Sequence, residues 1–137
     1  MKTLTVAADT KELARVIAFV DAMLEERDCP MQIQLRVELA VEELFVNVAS
    51  YAYGGCGGEV ELSARILPEP ERLELRFRDS GMPFNPLAKA DADTSREATM
   101  NREGGLGILL VKKNMDEVRY ARENGENLLT VVKYLRR

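Results

Sequence analysis

Arg72-Leu73-Glu74-Leu75-Arg76-Phe77-Arg78-Asp79-Ser80-Gly81 is the stretch from which the rest of the chain is read. Leu73, Leu75 and Phe77 alternate with Arg72, Glu74, Arg76 and Arg78, the period-two pattern of a half-buried strand. Asp79 shares the parity of the apolar residues, so its carboxylate points toward the core face. A buried carboxylate without a partner is costly, so Asp79 needs a hydrogen-bond donor, from the protein or from a ligand. An exocyclic amino group, as on adenine, would serve. Gly81 lets a flat ring approach the backbone closely. Asp-Ser-Gly is also ordinary turn chemistry, and on its own Asp79 reads first as a strand-end residue that caps its own turn.

Upstream, Val60, Leu62, Ala64 and Ile66 alternate with polar residues until Pro68 and Pro70 interrupt, giving a second strand. Residues 2–7 read as a short edge strand. Asp9 to Glu12 has capping-box spacing and opens a helix to about Arg27, with Leu13, Val16, Ile17 and Val20 as its apolar stripe. Pro30 opens a second helix, which runs to about Tyr53 and stops at Gly54-Gly55. Downstream, residues 80–104 carry no sustained period. A third helix is expected from Gly105 to Asn114. Val118 and Tyr120, the Asn124-Gly125 pair, then Leu128, Thr130, Val132 and Tyr134 predict a terminal hairpin. The order is βααββ, long loop, αββ. It predicts an α+β two-layer sandwich, with a mixed, mostly antiparallel sheet and about three helices on one face.

At 137 residues the chain is expected to be one domain spanning 1–137. The balance of 46% hydrophobic and 31% charged residues is that of a globular protein. A net charge of −4 argues against a general nucleic-acid or anionic-membrane binder. No apolar run has the length of a membrane span, and the first residues lack a signal-peptide core, so a cytoplasmic location is expected. Cys29 and Cys56 read as free thiols in a reducing compartment. The chain has no histidine, so a general base must be a carboxylate, a lysine or a tyrosine, and histidine phosphorelay is excluded within it.

On the second helix, Val37, Ala40, Val41, Leu44, Phe45 and Val48 form one apolar face. Glu43 and Asn47, four apart, stack at its margin. A carboxylate beside an amide oxygen suits a hard cation such as Mg²⁺, and the carboxylate can also take a proton. The same pair is common on solvated helix flanks. Glu38 and Glu42 fall nearer the polar side and read as solvated charge. The loop ends in Gly104-Gly105-Leu106-Gly107 at the start of the third helix, where bare backbone N–H groups and the helix dipole can cradle phosphates. No Gly-Lys-Ser/Thr follows, so this is not a P-loop, and a flexible hinge is the other reading. Arg102, just before the glycines, is placed to close on a terminal phosphate. Thr130, read at an inward parity with Leu128 and Val132, either helps hold the group on Asp79 or is a plain β-branched core residue.

Taken in order, these pieces resemble the Bergerat-fold (GHKL) ATP-binding superfamily. They are most similar to its anti-sigma-factor serine/threonine protein kinase branch. The likeness rests on Val41-Glu42-Glu43-Leu44-Phe45-Val46-Asn47, on Asp79-Ser80-Gly81-Met82-Pro83-Phe84-Asn85-Pro86, and on Gly104-Gly105-Leu106-Gly107-Ile108 followed by Met115-Asp116-Glu117-Val118. The resemblance implies ATP and Mg²⁺ as cofactors, with Asn47 as Mg²⁺ ligand and Glu43 as the catalytic base. It implies that Asp79 binds the adenine amino group beside Gly81 and Thr130. Gly104, Gly105, Leu106, Gly107 and Arg102 would surround the phosphates under a lid at about 82–104. It also implies a STAS-type anti-anti-sigma protein as phosphoacceptor, a sequestered sigma factor, and a homodimer. The alternative is a nucleotide-gated binding module with little phosphotransfer. The branch often carries histidine four residues after the helix asparagine; here that residue is Tyr51.

Overall fold

The alternating stretches pair into one sheet in the computed structural model, which describes residues 1–53, 57–87 and 105–136. The elements are β1 (Lys2–Ala7), α1 (Leu13–Glu26), α2 (Met31–Tyr51), β2 (Glu59–Leu67), β3 (Arg72–Asp79), α3 (Gly105–Asn114), β4 (Glu117–Glu123) and β5 (Glu126–Tyr134). The strand order is β1-β2-β3-β5-β4, and all four ladders are antiparallel. The two-layer α+β expectation is met, and the described sheet has no parallel pair. The terminal hairpin turns on Asn124 and Gly125 with φ of 52° and 77°, the left-handed pair that a two-residue turn requires.

Register fixes which side chains meet the helices. Leu75 pairs with Ala64 and Val131, and Phe77 with Leu62 and Leu129. Directly opposed residues share a face, so these form the floor of the core. Val37, Ala40, Val41, Leu44, Phe45 and Val48 of α2, all buried, cover it, joined by Val16, Val20 and Leu24 of α1 and Ile108 and Val111 of α3. Burying a side chain of this size contributes about 1.5–3 kcal/mol, which is why the central position of α2 is the strongest constraint on the fold.

Two local details differ from expectation. The entry to α1 is a 3-10 turn, Thr10–Glu12, capped by Asp9, whose carboxylate accepts from the Lys11 N–H at 2.9 Å. Glu12 pairs with Arg15 at 2.9 Å, so the expected capping box is only half made. At the far end of the sheet, Lys133 lies in the helix-facing row opposite Leu73. Its Nζ donates to the Asn114 carbonyl at 2.6 Å and stands 3.7 Å from Asp116 Oδ2, closing the C-terminus of α3. Cys29 is a free thiol, and Cys56 lies outside the described residues. No helix among the described residues is long and apolar enough to cross a membrane.

Candidate active site

The C-terminus of α2 and the turn after β3 are locked together. Gly81 sits so close to the end of α2 that an added Cβ would overlap the Ala52 carbonyl oxygen and stand 2.5 Å from its carbon. The next residue, Met82, donates its N–H to that same oxygen at 2.7 Å. Gly81 was expected to make room for a ligand ring; in the fold it makes room for the end of α2.

Asp79 is 4% exposed and faces the helix layer, as strand parity predicts. Its Oδ1 accepts from the Gly81 N–H and from Asn127 Nδ2, both at 2.9 Å. The required donors thus include two from the protein. Among the described residues no hydrogen bond reaches Oδ2, which leaves one carboxylate oxygen for an incoming donor.

Asn127 is the residue that sequence reading missed. It is buried, pairs directly with Asp79 across the β3–β5 ladder, and also donates to the Met82 carbonyl at 2.8 Å. Its Oδ1 accepts from the Phe84 N–H at 3.2 Å and from the Tyr120 hydroxyl. Arg122 donates to the Gly81 carbonyl at 2.7 Å. Tyr53 accepts from the Ser80 N–H at 2.9 Å and donates to the Glu59 carbonyl at 2.6 Å. The Tyr51 and Phe84 rings lie 5.4 Å apart at 38°. These bonds tie residues 79–84 to α2 and to the β4–β5 hairpin, where they form one wall of the site. The available signal was the Asn itself, an amide next to the hairpin turn and directly before the apolar pair Leu128-Leu129.

Thr130 is not part of this wall. It pairs with Arg76 and Arg119, on the sheet face opposite Asp79. β5 lies between two strands and is apolar at both parities, with Leu128 and Val132 on one face and Leu129 and Val131 on the other. Alternation therefore could not choose its face, and the even set was taken wrongly. The β3 pairing assigns Asn127 to the position expected of Thr130.

One to two turns earlier on α2, Asn47 is 5% exposed and Glu43 is half-buried. Asn47 Nδ2 donates to the Glu43 carbonyl at 2.7 Å, which fixes the amide and turns Oδ1 away from its own helix. That Oδ1 is buried with no hydrogen-bond partner among the described residues. An unpaired buried carbonyl oxygen costs about 1–3 kcal/mol, a cost that a cation or a water on a cation would remove. Gly107 lies in the first turn of α3, against Glu43. A Cβ there would overlap Glu43 Oε2 and stand 2.8 Å from its Cδ. The carboxylate thus touches the glycine-led helix start. Gly105 and Leu106 open α3; Arg102 and Gly104 lie outside the described residues, as does the expected lid from 88 onward.

The donor set suits a hard divalent cation: one carboxylate and one free amide oxygen on neighbouring turns. No group of three or more His, Cys, Asp or Glu able to hold a metal occurs among the described residues. A cation here would therefore draw the rest of its shell from water and ligand oxygens, as Mg²⁺ does with phosphates.

Known proteins carry the same frame. The chain is 32% identical to serine-protein kinase RsbW of Bacillus pumilus over 106 residues, covering 74% of this chain and 65% of that protein. It is 28% identical to serine-protein kinase RsbW of Listeria monocytogenes over 103 residues, covering 72% and 64%. The chain thus spans less than two thirds of the length of these relatives. Two solved structures share the fold. The histidine kinase domain of the blue-light activated histidine kinase of Erythrobacter litoralis has a TM-score of 0.58 at 17% identity, covering 92% of this chain and 60% of that one. The SiaB-SiaC complex of Pseudomonas aeruginosa gives 0.60 at 12% identity, covering 97% and 89%. A family model described as a histidine kinase-like ATPase domain matches residues 6–133, and the chain belongs to that family.

Proposed function

We propose that this protein binds ATP with Mg²⁺ and transfers the terminal phosphoryl group to a serine or threonine of a partner protein. The observation that carries the reading is Asn47 Oδ1, buried and unpaired among the described residues, one turn from a carboxylate that touches the glycine-led start of α3. Asp79, on the wall packed against the C-terminus of α2, holds the adenine amino group through the oxygen its protein donors leave unused. Asn47 is a ligand of the cation, which when bound neutralises charge on the phosphate oxygens. The bare N–H groups of Gly105, Leu106 and Gly107 hold the phosphate end, joined by Gly104 and Arg102. Glu43 accepts the proton of the attacking hydroxyl as its oxygen bonds to the terminal phosphorus. The bond from that phosphorus to the bridging oxygen breaks, and ADP departs with the bonding pair.

Likeness to the RsbW serine-protein kinases supports a protein substrate. The partners we assign are a STAS-type anti-anti-sigma protein as acceptor and a sigma factor as the sequestered target, with the kinase a homodimer in the cytoplasm. The test is incubation with γ-labelled ATP, Mg²⁺ and a STAS-type protein from the same genome. Labelled phosphoserine or phosphothreonine on that protein, abolished by Glu43→Gln, is the expected result. Tight ATP binding with no transfer to any such protein would reject the kinase reading and leave a nucleotide-gated binding module.

A further inference from the structure

The outer flank of the helix layer carries a groove that the nucleotide reading does not use. Met31, Leu35 and Leu39 recur every four residues on α2, and all three are exposed, Leu35 to 54% and Leu39 to 40%. With Ile17 of α1 opposite, the two leucines line a groove of about 360 Å³ whose remaining walls are Glu38 and Glu42. Glu42 is exposed, as expected of solvated charge, Glu38 is half-buried, and both border this apolar surface. Behind Glu38 lies Asp21 of α1, whose Oδ1 is buried with no hydrogen-bond partner among the described residues. Glu38 and Glu25 add negative charge around it, and it shares side-chain hydrogen bonds with Glu38 and with Gln34 of α2, which also donates to Glu25 at 3.2 Å.

We propose that the α1–α2 groove docks an amphipathic helix of a partner protein, with an apolar ridge on Leu35, Leu39 and Ile17 and flanking lysine or arginine side chains on Glu38 and Glu42. An apolar stripe at four-residue spacing matches the ridge of one helix. Among the described residues, the charged members of the lining are Glu38 and Glu42, so the rim selects a basic flank. Charge also decides against a second copy of this chain packed through the same face. A two-fold pairing would bring the Glu38 and Glu42 carboxylates of both protomers together. The proposal is independent of whether the nucleotide site transfers phosphate.

The test uses two fluorescein-labelled helical peptides of about 18 residues with a leucine stripe, one flanked by lysine and one by glutamate, titrated at about 0.15 M salt. The lysine peptide is expected to bind wild type about tenfold or more tighter than its twin. Leu35→Ser with Leu39→Ser should lose that binding. Glu38→Lys with Glu42→Lys should transfer preference to the glutamate peptide, a gain that no misfolded variant can give. Reversal of Glu117 and Glu123 on the distant edge strand β4 should change either affinity by less than about twofold. The proposal is overturned if the leucine changes have no effect, or if the β4 reversal acts as strongly as the groove reversal. It is equally overturned if sedimentation shows a wild-type dimer that the leucine changes dissolve, because a second copy would then be the occupant.

Discussion

Replacing Gly81 by alanine tests whether the candidate site is a consequence of how α2 meets the sheet. The new methyl would overlap the Ala52 carbonyl oxygen and stand 2.5 Å from its carbon and 3.0 Å from its Cβ. All three atoms belong to the end of a packed helix, so no rotamer change relieves the clash. Either α2 or the turn must move. Movement breaks the Met82 N–H to Ala52 bond of 2.7 Å and disturbs the Gly81 N–H to Asp79 bond of 2.9 Å. Two hydrogen bonds at about 1 kcal/mol each, with about 1–3 kcal/mol of overpacking, give a destabilisation of about 3–5 kcal/mol. For a domain of this size that is a fall in Tm of about 10 °C. Thermal unfolding followed by circular dichroism measures it, and calorimetric titration of the folded variant with ATP reads the site. We expect a Tm drop of that order and weakened ATP binding at low temperature. A Tm within about 2 °C of wild type, with ATP affinity unchanged, would refute the claim that this glycine locks the site to the helix.

Gly107→Ala should behave oppositely. Its methyl meets only the carboxyl end of Glu43, which can swing away, so Tm should hold within about 2 °C while phosphotransfer falls by about a hundredfold in a turnover assay. Asn127→Leu should cost about 3 kcal/mol in denaturant unfolding, because buried groups of Asp79, Met82 and Phe84 lose a partner. Thr130→Val, on the other face, should leave ATP affinity within about twofold. Asp21 gives a pH signature: burial, then hydrogen bonding and repulsion from Glu38, push its carboxyl up to about 7. The folded state then holds a proton that the unfolded chain has released, so this group's destabilisation is absent below the unfolded value, grows between about 4 and 7, and is complete above. Asp21→Asn should accordingly stabilise the protein by about 1 kcal/mol at pH 8, discounted for partial solvation, and by almost nothing at pH 4. An equal gain at both pH values would contradict that origin.

The legible parts of the chain were those where one pattern had one structural answer. β3 is buried on its helix face and charged on the other, so the alternation of Leu73, Leu75 and Phe77 with arginines gave the inward direction of Asp79 correctly. The apolar stripe of α2 likewise brought Glu43 and Asn47 to the margin where they stand. β5 was opaque because, between two strands, it is apolar on both faces, and only pairing with β3 distinguishes Thr130 from Asn127. Gly81 illustrates a different limit. Sequence shows that a glycine is needed but not what approaches it, and here the answer is the Ala52 carbonyl. Glu38 and Glu42 read as solvated charge because the wheel shows polarity, while their position beside exposed Leu35 and Leu39 depends on where α1 lies.

The central claim is that Asp79 receives adenine while Asn47 holds the cation. Calorimetric titration of wild type, Asp79→Asn and Asn47→Ala with ATP, each with and without Mg²⁺, tests it most directly. Asp79→Asn keeps an acceptor for Gly81 and Asn127 but turns the other oxygen into a donor, so ATP binding should fall by about a hundredfold with or without Mg²⁺. Asn47→Ala should remove most of the Mg²⁺-dependent gain and spare Mg²⁺-free binding. Wild-type affinity for ATP in both variants would contradict the account.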